Sequence, residues 1–187
     1  SAGRGLRSIA LPGGLTSLGT SLFNNCGSLT NLVISNGIAS IADSMFGSCT
    51  SLTRVAFPNS VTNIGTGAFS SCISLTNLII GSNVTTIGTN AFASCRGLPS
   101  LIIPTNVITL ADDAFAGCEG LTNISMGSGL ISIGIGAFSD CISLPSVTVS
   151  RSVTNIGIGA FVNCDILTNI AVDVVNPAFS SAAGVLF

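Results

Sequence analysis

A strict 23-residue period constrains this sequence more than any other feature. Seven cysteines stand 23 residues apart without a slip, and a phenylalanine stands three residues before each. The cysteines are Cys26, Cys49, Cys72, Cys95, Cys118, Cys141 and Cys164, and the phenylalanines are Phe23, Phe46, Phe69, Phe92, Phe115, Phe138 and Phe161. A unit this short cannot close a core alone, whereas stacked units bury each inward position between its equivalents. The period therefore predicts a solenoid.

The unit from Leu75 to Gly97, LTNLIIGSNVTTIGTNAFASCRG, shows how one repeat is built. Its opening L-x-x-L-x-L spacing, which ends at Ile80, turns alternate side chains to one face and predicts a strand. A turn and a second short extended segment follow, and this segment closes at Gly88. The A-F-x-x-C spacing that ends at Cys95 predicts a short helical turn.

The same pattern resembles one branch of the leucine-rich repeats. Repeat three, LTRVAFPNSVTNIGTGAFSSCIS from Leu52 to Ser74, has a proline after the strand, then V-T-x-I-G and A-F-x-x-C, as in BspA-like repeats. The tail NPAFSSAAGVLF, from Asn176, is similar to the segment that often follows such repeats, although Ala183 replaces the family's usual acidic residue. The resemblance covers nearly the whole chain. It implies a curved solenoid on a secreted or surface-attached protein involved in adhesion or host interaction, without catalytic residues.

The predicted fold is therefore a right-handed leucine-rich-repeat solenoid of about eight units over residues 1–172. A parallel sheet lines its concave face, with short strands and helical turns on the convex side, and residues 173–187 form an irregular C-terminal segment. The repeats begin at Leu6, Leu29, Leu52, Leu75, Leu98, Leu121, Leu144 and Leu167.

Charge is scarce, and this limits the classes of partner. Charged residues make up 6% of the chain, against about 25% in an average soluble domain. The net charge of -2 gives no basic surface for nucleic acid. No apolar run approaches the roughly 20 residues of a membrane-spanning helix, so membrane insertion is not expected.

The cysteine column allows three interpretations: a metal site, a disulfide framework or a ladder of buried thiols. One cysteine per repeat, without histidine, lacks the clustered ligands of a metal site. Stacked strands bring neighbouring cysteines near disulfide distance, but an odd count leaves one unpaired. The neighbouring phenylalanine marks this turn as facing inward, which favours reduced, buried thiols.

No residue set predicts catalysis, a metal site or a cofactor. Seven carboxylates fall at variable positions, with Asp112 and Asp113 as the one local pair. General acid and base chemistry needs a tuned environment and a partner in reach, and solvated or capping roles fit these positions better. Serine and threonine are abundant, but no histidine is present to activate them. We therefore predict a protein that is not an enzyme.

The concave sheet is the usual contact surface of leucine-rich repeats, so its outward positions are the candidate site. They are small and nearly uncharged, with Arg7 and Arg54 as the charges. All phenylalanines within the repeats are predicted to face inward, so this surface lacks aromatic anchors. The candidate contact residues are Thr30, Asn31, Thr53, Arg54, Thr76, Asn77, Ser100, Thr122, Asn123, Ser146, Thr168 and Asn169. Asn83 and Asn123 also begin glycosylation acceptor patterns.

Two functions compete at this point. The leading prediction is an extracellular or cell-surface module for adhesion or protein interaction. The alternative is a structural subunit that polymerises end to end into a homopolymer, because neither end shows a polar cap and the surface is poor in charge. Both predictions name a protein partner or a second copy of the chain as the ligand.

Overall fold

A computed structural model describes residues 5–15, 18–182 and 185–186, and Ala183 lies outside them. Within these residues the regular structure consists of sixteen strands, and no helix is assigned. In chain order the strands are β1 (Ser8–Leu11), β2 (Asn31–Ile34), β3 (Ser40–Ile41), β4 (Arg54–Ala56), β5 (Asn63–Ile64), β6 (Asn77–Ile79), β7 (Thr86–Ile87), β8 (Ser100–Ile102), β9 (Thr109–Leu110), β10 (Asn123–Ser125), β11 (Ser132–Ile133), β12 (Ser146–Val149), β13 (Asn155–Ile156), β14 (Asn169–Val172), β15 (Ser181–Ala182) and β16 (Val185–Leu186).

The strands form two parallel stacks, which confirms the predicted solenoid. The strands that follow the opening leucines are β1, β2, β4, β6, β8, β10, β12 and β14, and we call their outward side the long-strand face. The second stack is a continuous six-stranded parallel sheet of β3, β5, β7, β9, β11 and β13, whose outward side we call the short-strand face. Every strand that pairs within these two stacks is in register with its equivalent 23 residues away, as Ile64 is with Ile87. The 23-residue period of the sequence therefore sets the register in which the strands pair.

A column of stacked phenylalanine rings runs through the core. Seven rings, from Phe23 to Phe161, stack with centroids 5.2 to 5.7 Å apart. Phe57 directly follows β4 instead and makes edge contacts with two of these rings, at centroid distances of 5.5 and 6.3 Å. Aromatic pairs in such geometries contribute roughly 0.5–1.5 kcal/mol beyond burial. The prediction that Phe57 and the Phe–Cys turns face inward is confirmed.

The burial of the Phe, Cys and leucine columns is complete in repeats two to six but not in repeat seven. Phe46 to Phe138 and Cys49 to Cys141 are fully buried at every repeat. Phe161 and Cys164 are half-buried.

The predicted helical turn is a series of tight turns. Within one unit, Cys72 N–H donates to Phe69 O and Leu75 N–H to Cys72 O, three residues back each time. Other amides donate to the next repeat, as Phe69 N–H does to Ala91 O at 2.8 Å. Two residues per turn have positive φ, such as Ser71 at 59°. We call these segments, each of which carries one A-F-x-x-C motif, the turn side.

The C-terminal segment covers part of the last turn. The Asn176 side chain donates to both Ser150 O and Val153 O at 2.9 Å, and the Phe179 ring packs against the core. Antiparallel strands β15 and β16 follow, and Ser181 Oγ accepts a hydrogen bond from Val172 N–H. The sequence predicted no cap here because Asp173 is the one charged side chain of the segment, but the Asn176 amide and the apolar Phe179 ring cover part of the last turn. The division of the chain at residue 172 stays a prediction.

Candidate interaction face

The long-strand face presents the predicted contact residues to solvent. Each strand alternates exposed and buried side chains, as β12 does with Ser146 and Thr148 outward and Val147 and Val149 inward. All twelve candidates are exposed: Thr30, Asn31, Thr53, Arg54, Thr76, Asn77, Ser100, Thr122, Asn123, Ser146, Thr168 and Asn169. Strand alternation explains the accessibility of the seven candidates that lie in strands, whereas the five threonines lie just before a strand. The role of the candidates in binding stays a proposal.

Hydrogen bonds between neighbouring repeats fix part of this surface. The hydroxyl of Thr76 donates to Thr53 O at 3.3 Å, and Thr122 donates to Pro99 O at 3.0 Å. The Asn31 amide donates to Ser8 Oγ at 3.0 Å. These side chains are therefore held in place before any ligand arrives, which lowers the entropy lost on binding.

The sheet beneath this face is divided into four strand pairs: β1 with β2, β4 with β6, β8 with β10, and β12 with β14. Within a pair, the residue after the opening leucine donates its N–H to the preceding repeat, as Thr76 does to Thr53 O. Pro99 and Pro145 occupy that position at two of the three breaks and have no N–H to donate. Nothing in the structure explains the third break, at Thr53.

An apolar stripe crosses the first half of the face. It consists of Val33, Ala56, Ile79 and Ile102, which occupy the same position in four successive repeats. Ile102 is 71% exposed, and Val33 and Ile79 are each nearly half exposed. In the next repeats Ser125 and Thr148 take this position. Sequence reasoning described the face as small and neutral and so missed the stripe, although its positions were readable from the period.

A groove of about 440 Å³ follows the stripe. Ser125, which pairs in register with Ile102, forms the junction between the two. The lining residues are Asn123, Ile124, Ser125, Met126, Thr148, Ser150 and Asp173. Asp173 supplies the charge of this lining, and its Oδ1 accepts a hydrogen bond from Val175 N–H at 3.1 Å. The pattern of the repeats gave no signal for this groove, because Asp173 falls after their last regular residue.

Several other charged side chains bond to a turn or pair with each other. Asp43 Oδ1 accepts from Thr66 N–H, and Asp112 Oδ1 accepts from Ile135 N–H, each at 2.8 Å. Arg96 pairs with Glu119 at 3.1 Å on the exposed surface. In the part of the chain that the structure describes, no three His, Cys, Asp or Glu residues form a group that could hold a metal ion.

The cysteines form a ladder of free thiols, as the sequence favoured. Each thiol from Cys49 onward donates to the carbonyl of the phenylalanine 26 residues earlier, at 3.2 to 3.6 Å. Burial raises the pKa of Cys72 and Cys118 to about 12, so the thiolate is disfavoured at neutral pH. A protonated, buried thiol is a poor nucleophile, so the ladder is structural.

The two glycosylation patterns differ in setting. Asn83 lies exposed in a turn, and its amide nitrogen donates to Asn59 O at 2.8 Å. Asn123 lies exposed in β10 and lines the groove. Occupancy of either site stays a prediction.

In the part of the chain that the structure describes, no helix is long and apolar enough to cross a membrane. The stacked parallel strands, the buried leucine and phenylalanine columns and the exposed polar strand face together define a leucine-rich-repeat solenoid. A family model described as BspA type Leucine rich repeat region matches residues 2–99 and 85–181 in six copies. The chain belongs to this family, which confirms the resemblance found in the sequence.

Solved structures share the fold. A Treponema pallidum leucine-rich-repeat protein is 26% identical with a TM-score of 0.74, over 86% of this chain and 77% of that one. The pneumococcal vaccine antigen PcpA is 22% identical with a TM-score of 0.72, and the match covers 100% of this chain and 45% of PcpA. A Bacteroides ovatus leucine-rich-repeat protein is 23% identical with a TM-score of 0.64, and the match covers 90% of this chain and 56% of that protein. The chain thus spans about half the length of the last two. No curated protein matches it.

Family membership indicates a protein-interaction or surface module, from a family that is generally not enzymatic.

Proposed function

We propose that this chain is a non-catalytic extracellular module that binds a protein partner through its long-strand face, in adhesion or a related surface interaction. One observation carries the proposal: twelve polar side chains lie exposed on one face together with Val33, Ile79 and Ile102 of the apolar stripe. Exposed apolar patches rimmed by polar residues mark interaction sites. Membership of the BspA-type leucine-rich-repeat family supports a surface role by analogy alone.

A matched pair of variants tests which face binds. The 187-residue protein is applied to an array of extracellular and cell-surface proteins, and the affinity for any protein bound is then measured. Asn77→Glu places a charge at the centre of the long-strand face, and Thr86→Glu places the same charge on the short-strand face. We expect at least roughly tenfold weaker binding for Asn77→Glu alone, since a desolvated, unpaired charge is costly. Equal losses, or no array protein bound, would contradict the proposal.

The alternative, an end-to-end filament subunit, draws support from the ends of the aromatic column. Phe23 and Phe161 each stack on one ring instead of two and are half-buried. The cover that residues 173–182 provide over the last turn weighs against this alternative. Sedimentation velocity across concentrations separates the two: a monomer at high micromolar concentration excludes the filament, and growing fibres would favour it.

A further inference from the structure

The stripe and the groove lie end to end on one face, and their chemistries differ. The stripe offers aliphatic contact over four repeats, and strands stack about 4.8 Å apart, so its outward side chains follow one another closely. At Ser125 the surface changes to hydroxyls, an amide and one carboxylate. A ligand that covers both must therefore carry aliphatic groups next to a polar group.

The groove selects the kind of polar group. Its one charged lining residue is Asp173, and the nearest arginine in sequence, Arg151, does not line it. An anionic group would face this carboxylate without a cation to balance it. A cationic head meets the carboxylate and the hydroxyls of Ser125 and Thr148, while Ile124 and Met126 offer apolar contact to an aliphatic stem. Lysine and arginine combine such a stem with such a head.

A sugar fits this surface less well. Protein sites that hold sugars by stacking need exposed aromatic rings, and Phe57 and the phenylalanines of the turn side lie inside the solenoid. The aliphatic stripe beside the groove has no hydrogen-bonding side chain to offer to sugar hydroxyls. The combination instead matches a protein segment.

We propose that the long-strand face binds a protein segment in which aliphatic side chains precede a lysine or arginine. The aliphatic side chains lie against Val33, Ala56, Ile79 and Ile102, and the cation enters the groove beside Asp173. This inference rests on the proposed function and names the chemistry of its partner. It also sets a direction, with the basic residue toward the C-terminal repeats.

Four defined probes test the chemistry. They are a capped peptide of alternating valine and threonine that ends in lysine, the same peptide with glutamine or glutamate in place of lysine, and a neutral oligosaccharide. Nuclear magnetic resonance titration of the whole chain reports affinity and location. We expect the lysine peptide to bind tightest and the glutamate peptide weakest, with shifts at Ser125 and Thr148.

Variants of the protein separate a local effect from net charge. Asp173→Asn should weaken the lysine peptide by about two- to fivefold, the scale of a solvent-accessible ion pair. Asp165→Asn makes the same charge change away from the groove and should leave affinity unchanged. Ile102→Ser should weaken all three peptides, whereas Ile131→Ser, at a 46% exposed isoleucine off this face, should not.

The opposite results overturn the inference. It is wrong if the glutamate peptide binds as tightly as the lysine peptide, if Asp165→Asn matches Asp173→Asn, if the oligosaccharide occupies the groove, or if no peptide binds. If a protein from the array binds the long-strand face but does not compete with the lysine peptide, this inference is contradicted and the proposed function is not. Thermal unfolding of each variant checks that the fold is kept.

Discussion

Along the turn side, successive repeats present the same phenylalanine and cysteine to the core, whereas along the long-strand face the outward residue changes from Val33 to Ile102 to Ser125. The turn side also has backbone bonds from repeat to repeat, such as Phe92 N–H to Ala114 O. The long-strand sheet is interrupted at three steps. The contrast teaches that one side of each repeat maintains the stack, which leaves the other side free to vary.

The largest expected effect is the loss of a central ring. Phe92 is fully buried between two rings, so Phe92→Ala should lower the free energy of unfolding by about 3–5 kcal/mol. Phe161→Ala is the matched control, because its ring is half-buried and has one ring neighbour. Urea unfolding of both variants gives the comparison. A loss below about 1 kcal/mol for Phe92→Ala would mean that the column is not close-packed.

Alkaline pH should weaken the same column. Desolvation raises the pKa of Cys72 and Cys118 from 9.0 to about 12, so the native state holds these protons after the unfolded chain has released them. The stability that the protonated thiols contribute is complete below pH 9.0 and is lost as the pH rises toward 12.

Urea unfolding at about pH 8 and about pH 10.5 measures this loss. The double variant Cys72→Ala, Cys118→Ala should lose less stability between the two values than the unmodified protein does. An equal pH dependence in both would show that the thiols do not stay protonated in the native state.

Substitutions in the turns should change the free energy of unfolding less, but they distinguish the observed tight turns from a helical turn. Ser94 has φ of 59°, so Ser94→Val should cost about 1–2 kcal/mol, because a β-branched residue fits the left-handed region poorly. Ser94→Gly should be neutral or slightly stabilising, since glycine adopts this region freely. In a helix, glycine would instead be destabilising. A loss of about 1 kcal/mol in the free energy of unfolding of Ser94→Gly would therefore support the predicted helical turn.

On the long-strand face the expected effect on stability is smallest. Asn77→Ala should change the free energy of unfolding by less than about 0.5 kcal/mol, the range of ordinary surface substitutions. Thermal unfolding measures it against Thr86→Ala on the short-strand face. A loss above about 1 kcal/mol would give Asn77 a structural role that its exposure does not indicate.

The sequence predicted the period, the two strands of each repeat and the inward Phe, Cys and leucine columns, because burial repeats at the same position in every unit. It predicted a helical turn wrongly, because the spacing of Phe92 and Cys95 fits both a helix and successive three-residue turns. The serine, asparagine, aspartate or glycine at each positive φ was the signal that separates them. The groove at Asp173 could not be predicted from the sequence, because strand residues of the repeats form it together with a residue that follows the repeats.

Amide hydrogen exchange of the whole chain tests most directly whether the turn side maintains the stack while the long-strand face is interrupted. The amide of Phe92, bonded to the next repeat on the turn side, should exchange at a rate near that of global unfolding. Asn77 N–H, which donates to Thr53 O within a strand pair, should be less protected than Phe92, and Ser100, at the Pro99 break, least protected. Equal protection at Asn77 and Ser100, or faster exchange at Phe92 than at either, would contradict the account.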